Sequence, residues 1–319
     1  MECLPRGSRV AILRLRSLGD CVLTTPALDI LKRFRRDLRI AIFVEDRFRE
    51  IFEGNPDLDE IHPPDLPALR RFGPRLCLNL HGGTRSAWMT ALSGARFRAG
   101  FGHYRHQFVY NIRIPRAQEI LGVSRMVHTA EHLASAMFFL GAPMVEIPRA
   151  RLVPSGPLVP ATSPVLPTSL APVTSPMPAT SRATAANPTA ILHPMASTAA
   201  KTWPAAHFLA IADHLKQAGL DPIFIGGPGD DLSPFAAHRC IQGAPLSQIK
   251  SLLATASLFV GNDSGPAHMA AAFGLPTVVV FSTSDPRIWG PWRTAGEVVQ
   301  APASVAQVLD ALHRLRVPA

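Results

Sequence analysis

Residues 257–280 read SLFVGNDSGPAHMAAAFGLPTVVV, and this stretch decides the fold class of the chain. A short apolar run leads into a polar turn, in which Ser264 is a suitable helix N-cap and Pro266 suits the first helical turn. Gly274 ends the helix, and a second apolar run follows. The order strand, helix, strand predicts a parallel βαβ unit whose helix N-terminus directs free N–H groups at one spot, which suits a phosphate. The alternative is an ordinary βα turn with a good cap.

Apolar runs and segments of helical periodicity alternate along the rest of the chain, which predicts an α/β fold with mostly parallel sheets. Strands are expected at 9–15, 38–44, 76–80, 107–114, 189–193, 221–225, 258–260 and 277–281. Helices are expected at 22–34, 87–92, 129–140, 203–218, 246–256, 264–274 and 304–315. Two such halves place a cleft at the carboxyl ends of their strands, where open α/β sheets bind ligands.

An abrupt change in composition separates the two halves. Residues 148–188 are rich in proline, serine, threonine and alanine, a composition that neither sustains a helix nor fits inside a sheet. We interpret this segment as an extended, partly disordered linker. An N-terminal Rossmann-like domain is then expected at 1–147 and a C-terminal one at 189–319.

The charge of the chain predicts an anionic partner. The 319 residues carry a formal net charge of +9, with a pI near 10.2, and the basic residues concentrate in the first half. A solvated basic surface is the alternative. No zinc-finger, KH, RNP or helix-turn-helix signature is present, so nucleic acid is not an expected partner. The apolar stretches fall short of the roughly 18 residues that span a bilayer, and the first residues lack a signal-peptide pattern, so a cytoplasmic location is expected.

The sequence predicts no metal site. The four cysteines are scattered and form no C-x-x-C pair, and the twelve histidines include no H-E-x-x-H pair. His128 and His132 are spaced to share a helix face, but no third ligand lies near them in the sequence.

Three loops at strand ends carry the candidate chemistry. In the first, Asp20 stands at a helix N-terminus, where it is either a general base in the cleft or a helix-capping residue. In the second, Ser197 and Thr198 offer hydroxyl groups, and Lys201 is either a point charge for a diphosphate or a solvent-exposed lysine on a loop. The third loop contains two glycines that let a flat ring or a ribose approach the backbone. They are Gly226 and Gly227, and the alternative is a glycine-rich turn that binds no ligand.

Five motifs together resemble the ADP-heptose:lipopolysaccharide heptosyltransferases, glycosyltransferase family nine, and they occur in that family's order. They are LRLRSLGD at 13–20 with TTPA at 24–27, HP at 193–194 with KTWP at 201–204, GGP at 226–228, GNDSGPAH at 261–268, and SDP at 284–286 with GP at 290–291. The resemblance implies a GT-B arrangement, in which two Rossmann-like domains face a central cleft. It also implies inverting transfer of a heptose from ADP-heptose to inner-core lipopolysaccharide, with no cofactor and no active-site metal.

The resemblance further implies a role for each domain. The C-terminal domain would bind the nucleotide-sugar donor, and the N-terminal domain an anionic lipid-linked saccharide acceptor, in peripheral contact with the inner membrane at its cytoplasmic face. Asp20 matches the family's catalytic carboxylate, and Lys201 matches the lysine that contacts the donor. The predicted donor-binding residues are Ser197, Thr198, Lys201, Gly226, Gly227, Asp263, Ser264, Gly265 and His268. The acceptor-binding residues predicted from the basic first half are Arg16, Arg96, Arg98 and Arg105.

The chain departs from the family pattern in two places. One loop reads Pro194-Met195-Ala196-Ser197 where the family usually has glycine in second place, and the linker at 148–188 is richer in proline, serine and threonine than in many relatives. Two alternative functions remain at this stage. One is a glycosyltransferase that uses another nucleotide sugar in surface-polysaccharide synthesis. The other is a non-catalytic ligand-binding α/β protein.

Overall fold

The computed structural model describes Met1, residues 3–154 and residues 188–315. The described chain forms two parallel sheets of six strands each. The first sheet contains β1 Arg9–Leu13, β2 Arg39–Phe43, β3 Glu60–His62, β4 Leu76–Asn79, β5 Phe97–Phe101 and β6 Ile112–Ile114. The second contains β7 Thr189–His193, β8 Asp221–Gly226, β9 Arg239–Gln242, β10 Leu258–Asn262, β11 Thr277–Phe281 and β12 Gly296–Gln300.

Helices connect the strands of both sheets. In the first half they are α1 Leu18–Phe34, α2 Arg49–Phe52, α3 Leu66–Phe72, α4 Thr84–Leu92, α5 Ala117–Leu121 and α6 Thr129–Phe139. In the second half they are α7 Ala205–Gln217, α8 Leu246–Thr255, α9 Gly265–Phe273, α10 Pro286–Trp289 and α11 Val305–Arg314. Short 3-10 turns occur at Asp46–Phe48, Gln107–Val109, Ala199–Lys201 and Ser233–Phe235. Within the described ranges, no helix has both the length and the apolar character needed to cross a membrane.

The strand order of each sheet indicates where a crevice forms. The first sheet runs β3-β2-β1-β4-β5-β6, and the second runs β12-β11-β10-β7-β8-β9. Successive strands are added toward one edge of each sheet and then toward the other, and the change occurs between β1 and β4 in the first sheet and between β7 and β10 in the second. Crevices form at such switch points, beyond the carboxyl ends of the strands. The predicted α/β class is therefore confirmed, and the candidate site follows from the topology.

Several element predictions need correction. The strand expected at 107–114 is wrong over most of its length, because Gln107–Val109 is a 3-10 turn and only Ile112–Ile114 pairs with β5. Asn111 shapes this turn, since its side chain accepts from the Arg98 N–H at 2.7 Å and donates to the Arg96 carbonyl at 2.8 Å. Four short strands, β3, β5, β9 and β12, have no counterpart in the predicted set.

The first helix is longer than predicted and tolerates an internal proline. It begins at Leu18 and contains Pro26, which has no N–H to donate to the Val22 carbonyl. The Thr25 hydroxyl donates to that carbonyl at 2.8 Å instead. A side-chain hydroxyl thus replaces the missing backbone bond, and the helix continues to Phe34.

The described start of the predicted linker packs against the N-terminal half. Ala150 and Leu152 are buried, and the Arg151 N–H donates to Thr25 Oγ1 at 2.9 Å. The Trp292 indole donates to the Pro148 carbonyl at 2.9 Å, so this segment also contacts the C-terminal half. Residues 155–187, most of the predicted linker, lie outside the described residues.

A buried lysine joins the two halves. Lys250 of α8 is fully buried, and its Nζ donates to the Glu50 carbonyl of α2 at 2.6 Å. The Ser247 N–H donates to the Glu50 carboxylate at 2.5 Å. Burial lowers the pKa of Lys250 from its ordinary value.

We expect Lys250→Ala to lower the free energy of unfolding by about 2–4 kcal/mol, because it leaves a cavity and unsatisfied carbonyls at the junction. Urea denaturation followed by circular dichroism measures the change. The exposed Lys216→Ala on α7 serves as control and should unfold like the parent protein. Equal midpoints for both variants would contradict a structural role for Lys250.

Candidate functional site

A cleft of about 690 Å³ opens at the switch point of the second sheet. Its walls come from both halves of the chain, chiefly the N-terminus of α1 and the loops after β7, β8 and β10. Eight of the predicted catalytic and donor-binding residues line it. They are Asp20, Ser197, Lys201, Gly227, Asp263, Ser264, Gly265 and His268. Of the remaining predicted donor residues, Thr198 and Gly226 lie outside the lining of this cleft.

Asn262 organises the wall that carries Lys201. Its side chain is fully buried at the end of β10, where it donates to the Pro194 carbonyl at 2.8 Å and accepts from the Trp203 N–H at 3.0 Å. These two bonds hold both ends of the loop between β7 and α7. Lys201, within that loop, donates through Nζ to Asp263 Oδ2 at 2.9 Å. The lysine is thus placed at the cleft by an asparagine in the neighbouring strand.

The N-terminus of α9 faces the cleft without a side-chain cap. Ser264 is its N-cap by position, but the Ser264 hydroxyl lies 3.0 Å from His193 Nδ1 instead of accepting a helix N–H. Burial lowers the pKa of His193 to about 4, and also that of His268 to about 4. Both imidazoles are therefore neutral at pH 7, so the positive end of the helix dipole and Lys201 supply the attraction for an anion here.

Two glycines allow the halves to meet at this cleft. A Cβ added at Gly19 would lie 2.6 Å from the His268 Cδ2 atom. A Cβ added at Gly265 would lie 2.5 Å from the Leu18 Cδ2 atom. The N-termini of α1 and α9 therefore approach more closely than any larger residue permits, and this brings Asp20 into a cleft built mainly by the C-terminal half.

Asp20 is the third residue of α1. Its carboxylate accepts from the Ser17 hydroxyl at 3.0 Å and lies 3.7 Å from Nη1 of the buried Arg14. Arg14 also donates to the Leu80 carbonyl. Within the described part of the chain, no backbone N–H donates to the Asp20 carboxylate, so its local geometry differs from that of a helix cap.

A second cavity, of about 420 Å³, adjoins the first on the side of the N-terminal sheet. Asp20 and Trp289 line both spaces. The further lining residues include Arg14, His81, His103, Tyr104, Arg116, Thr129 and His132. Burial lowers the pKa of His132 to about 4 and also lowers the pKa values of His81 and His103. Positive charge in this cavity therefore comes from its arginines.

The predicted acceptor arginines lie elsewhere. Arg16, Arg96, Arg98 and Arg105 are absent from the linings of the two cavities. The Arg98 guanidinium instead donates to the Val109 and Ala95 carbonyls at 3.1 and 3.3 Å. The arginines that do line the second cavity are the buried Arg14 and the exposed Arg116. Both were missed, because a single arginine near a strand end gives no periodic signal.

Two further lining residues of the larger cleft were also missed. Asp230 accepts from the Gly227 N–H at 2.6 Å and so closes the glycine turn after β8. Arg47, from the N-terminal half, pairs with Glu45 at 2.8 Å and stacks over Phe48 at 4.7 Å from the ring centroid. Across the described residues, no three His, Cys, Asp or Glu side chains form a group that could hold a metal ion.

Comparison with known proteins agrees with this geometry. The model of glycosyltransferase family 9 (heptosyltransferase) matches residues 68–314. The chain belongs to this family. It is therefore a glycosyltransferase rather than a non-catalytic binding protein, and both the predicted family and the predicted enzyme class are confirmed.

Individual relatives cover nearly the whole chain. Lipopolysaccharide heptosyltransferase 3 of Escherichia coli (strain K12) is 24% identical over 335 aligned positions, which cover 94% of this chain and 90% of the relative. The glycosyltransferase family 9 structure from Veillonella parvula superposes with a TM-score of 0.79 at 18% identity, covering 97% of each chain. E. coli ADP-heptose lps heptosyltransferase II gives 0.75 at 17% identity, over 96% of this chain and 98% of the other. These likenesses confirm the predicted GT-B arrangement.

We expect Gly265→Ala to lower the free energy of unfolding by about 1–3 kcal/mol, because the new methyl group collides with Leu18 across the junction. Thermal unfolding checks the change. Leu18→Ala introduced into the same chain should recover part of the loss, since the two residues couple directly. Gly229→Ala is the matched control, because a Cβ there has no neighbour within 4 Å. A loss from Gly265→Ala that is independent of Leu18 would contradict the proposed contact.

Proposed function

We propose that this protein transfers a heptose from ADP-heptose to inner-core lipopolysaccharide, either Kdo-lipid A or an already heptosylated core. One observation carries the proposal: Asp20 lines both cavities, so a single carboxylate faces the space for a donor and the space for an acceptor. Family membership supports the sugar, and the name of the E. coli heptosyltransferase II supports the nucleotide and the lipopolysaccharide acceptor.

The larger cleft fits the donor. The diphosphate of a nucleotide sugar would lie against the N-terminus of α9, where Lys201 is held at the wall and Ser264 offers a hydroxyl. Lys201 is already paired with Asp263, so a second cation is useful when the leaving diphosphate gains charge. Arg47 can supply this second positive charge from the facing domain. Its side chain is 65% exposed, and the side chain of its partner Glu45 is 25% exposed.

The smaller cavity fits the acceptor. A saccharide hydroxyl placed there would give its proton to the Asp20 carboxylate while its oxygen attacks the anomeric carbon of the donor. The bond from that carbon to the diphosphate oxygen breaks with its electron pair, and ADP leaves from the opposite face, so the anomeric configuration inverts. Arg14 and Arg116 suit an acceptor that carries carboxylates or phosphates.

The proposed scheme needs no metal and no cofactor, because α9, Lys201 and Arg47 stabilise the leaving diphosphate. We place the reaction at the cytoplasmic face of the inner membrane, in peripheral contact with it, since a lipid-linked acceptor is presented there. Nucleic acid has no part in the scheme.

Mass spectrometry of the products tests the function. Purified protein is incubated with deacylated Kdo-lipid A or heptosylated core, a panel of nucleotide sugars, and EDTA. A heptose-sized mass gain with ADP-heptose alone is the expected result, and transfer only from another donor would overturn the choice of sugar. Activity that disappears with EDTA and returns with a divalent cation would contradict the metal-independent scheme.

We expect Asp20→Asn to reduce kcat by at least roughly 100-fold, because the amide cannot accept the acceptor's proton. Calorimetric titration with ADP should give a Kd within about twofold of the parent value, since the nucleotide contacts stay in place. Asp310→Asn, an exposed carboxylate on α11, is the matched control. A large loss of ADP affinity with kcat retained would show that Asp20 binds the donor and is not the base.

Removing either cation of the larger cleft should weaken ADP binding. We expect Lys201→Ala and Arg47→Ala each to raise the ADP Kd by about 5–30-fold, because each variant removes one charge-assisted hydrogen bond to the diphosphate. Arg49→Ala is the control for Arg47, because Arg49 points to the Ile61 carbonyl at 3.1 Å and lies outside the cleft lining. An unchanged Kd for Arg47→Ala together with unchanged kcat would remove Arg47 from the site.

A further inference from the structure

Three large apolar side chains stand exposed next to one another on the N-terminal half. Trp88 and Leu92 lie one turn apart on α4 with 50% and 46% of their surfaces exposed, and Phe108 is 62% exposed. The Trp88 and Phe108 rings meet edge to face with centroids 6.3 Å apart. We call these three residues the aromatic patch. Isolated exposed apolar residues are normal, whereas a contiguous group of them indicates a binding surface.

The segment that carries the aromatic patch is unusually basic. Residues 66–118 contain nine arginines and no lysine, aspartate or glutamate. They are Arg70, Arg71, Arg75, Arg85, Arg96, Arg98, Arg105, Arg113 and Arg116. The formal charge of this segment, +9, equals the net charge of the whole chain, so the other residues sum to zero. Within residues 3–154 and 188–315, none of these nine arginines forms an ion pair with a carboxylate, although arginines elsewhere in the chain do.

Basic residues border the aromatic patch on two sides. Arg85 precedes Trp88 by three positions on α4, and Arg70 donates through Nε to the Leu92 carbonyl at 2.8 Å. On the other side, Arg105 and His106 precede Phe108, and the His106 ring lies 6.0 Å from the Phe108 ring. Arg85 donates through Nη2 to the Pro64 carbonyl at 2.6 Å, so Arg70 and Arg85 are held by carbonyls and keep their full charge. Exposed apolar side chains therefore lie beside arginines that have no carboxylate partner among the described residues.

We infer that this surface docks on an anionic lipid bilayer. Tryptophan and phenylalanine are favoured at the boundary between headgroups and acyl chains, where the aromatic patch would insert. The arginines around it would contact phosphate groups of the headgroups, and their attraction to an anionic leaflet would decrease as salt screens it.

Two other occupants match the surface less well. A second copy related by a two-fold axis would place this arginine-rich face against itself, and residues 66–118 offer no carboxylate to pair with it. Single-stranded nucleic acid needs flat aromatic faces on which bases stack, but the Trp88 ring meets Phe108 edge to face at an interplanar angle of 72° and Leu92 has no ring.

The segments that carry the aromatic patch directly follow lining residues of the second cavity along the chain. Leu80 and His81 line that cavity just before α4 begins, and His103 and Tyr104 line it just before the turn that carries Phe108. The inference rests on the proposed function in one respect: a lipid-linked acceptor would enter this cavity from the bilayer on which the aromatic patch sits.

Vesicle co-sedimentation tests the inference. We expect the protein to bind phosphatidylcholine vesicles that contain phosphatidylglycerol, to bind pure phosphatidylcholine vesicles weakly, and to lose affinity as sodium chloride is raised. The double variant Trp88→Ala, Phe108→Ala should bind the anionic vesicles at least roughly tenfold more weakly. Phe139→Ala, an exposed phenylalanine on α6, is the matched control and should bind like the parent protein. Circular dichroism verifies that each variant is folded.

A second measurement locates the contact. Brominated lipids quench tryptophans that reach the bilayer, so they should quench the parent protein and not Trp88→Phe, which keeps the remaining indoles at 203, 289 and 292. Equal vesicle binding by the double variant and the control would overturn the inference. The inference would also be overturned if the parent protein bound no vesicles and instead self-associated or bound RNA, and if the double variant lost that self-association or RNA binding.

Activity assays separate this inference from the proposed function. The double variant should keep the parent's kcat on a deacylated, soluble acceptor and lose activity only when the acceptor is embedded in anionic vesicles. If the parent protein transfers no sugar to either acceptor yet binds anionic vesicles through the aromatic patch, the proposed function fails and the docking surface stands. If both acceptors are used equally by the double variant, the docking surface fails and the function stands.

Discussion

The close approach of two helix N-termini is the constraint on which the site depends. Gly19 and Gly265 meet residues of the opposite half at distances that leave no room for a Cβ. Behind this contact most of α1 is buried, and it packs against α6 of its own domain and α9 of the other. Because α1 cannot shift without disturbing both cores, Asp20 is positioned by the whole junction and not by its loop alone.

The charges of the larger cleft explain why its geometry matters. Among the described residues that line it, three are carboxylates and two are cations, so the side chains alone do not attract an anion strongly. They are Asp20, Asp230, Asp263, Lys201 and Arg47. Neutral His193 and His268 add hydrogen-bonding groups and no charge. In the proposed scheme, a diphosphate would therefore be favoured where the N-terminus of α9 acts together with Lys201 and Arg47, and this would restrict the orientation of the donor.

Much of the site could be predicted because its residues follow strands and are marked by local turn chemistry. Asp20 and the turn at 263–265 stand beside glycine, serine or proline close to a strand end, and Lys201 lies in a loop with a proline at each end, Pro194 and Pro204. The structure brings these residues together. Arg47 and Arg116 have no such marker, since they reach the cavities only through the packing of distant elements. Short strands such as β3 and β12 were missed because three to five residues with few apolar side chains give no usable periodicity.

Charge density in the sequence does not distinguish the arginines that line a cavity from those that lie elsewhere. Arg98 is bonded to nearby carbonyls, Arg14 is buried beside Asp20, and Arg105 stands at the surface, although all three belong to the same basic half. Outside residues 66–118, positive and negative charges are equal in number and cancel. Within residues 66–118, the arginine charges have no carboxylate to cancel them. The excess charge is thus concentrated on one segment, and that segment supplies both a wall of the second cavity and the exposed aromatic side chains. In the proposed scheme, an anionic acceptor attracted by this field would be brought to the cavity that Asp20 lines.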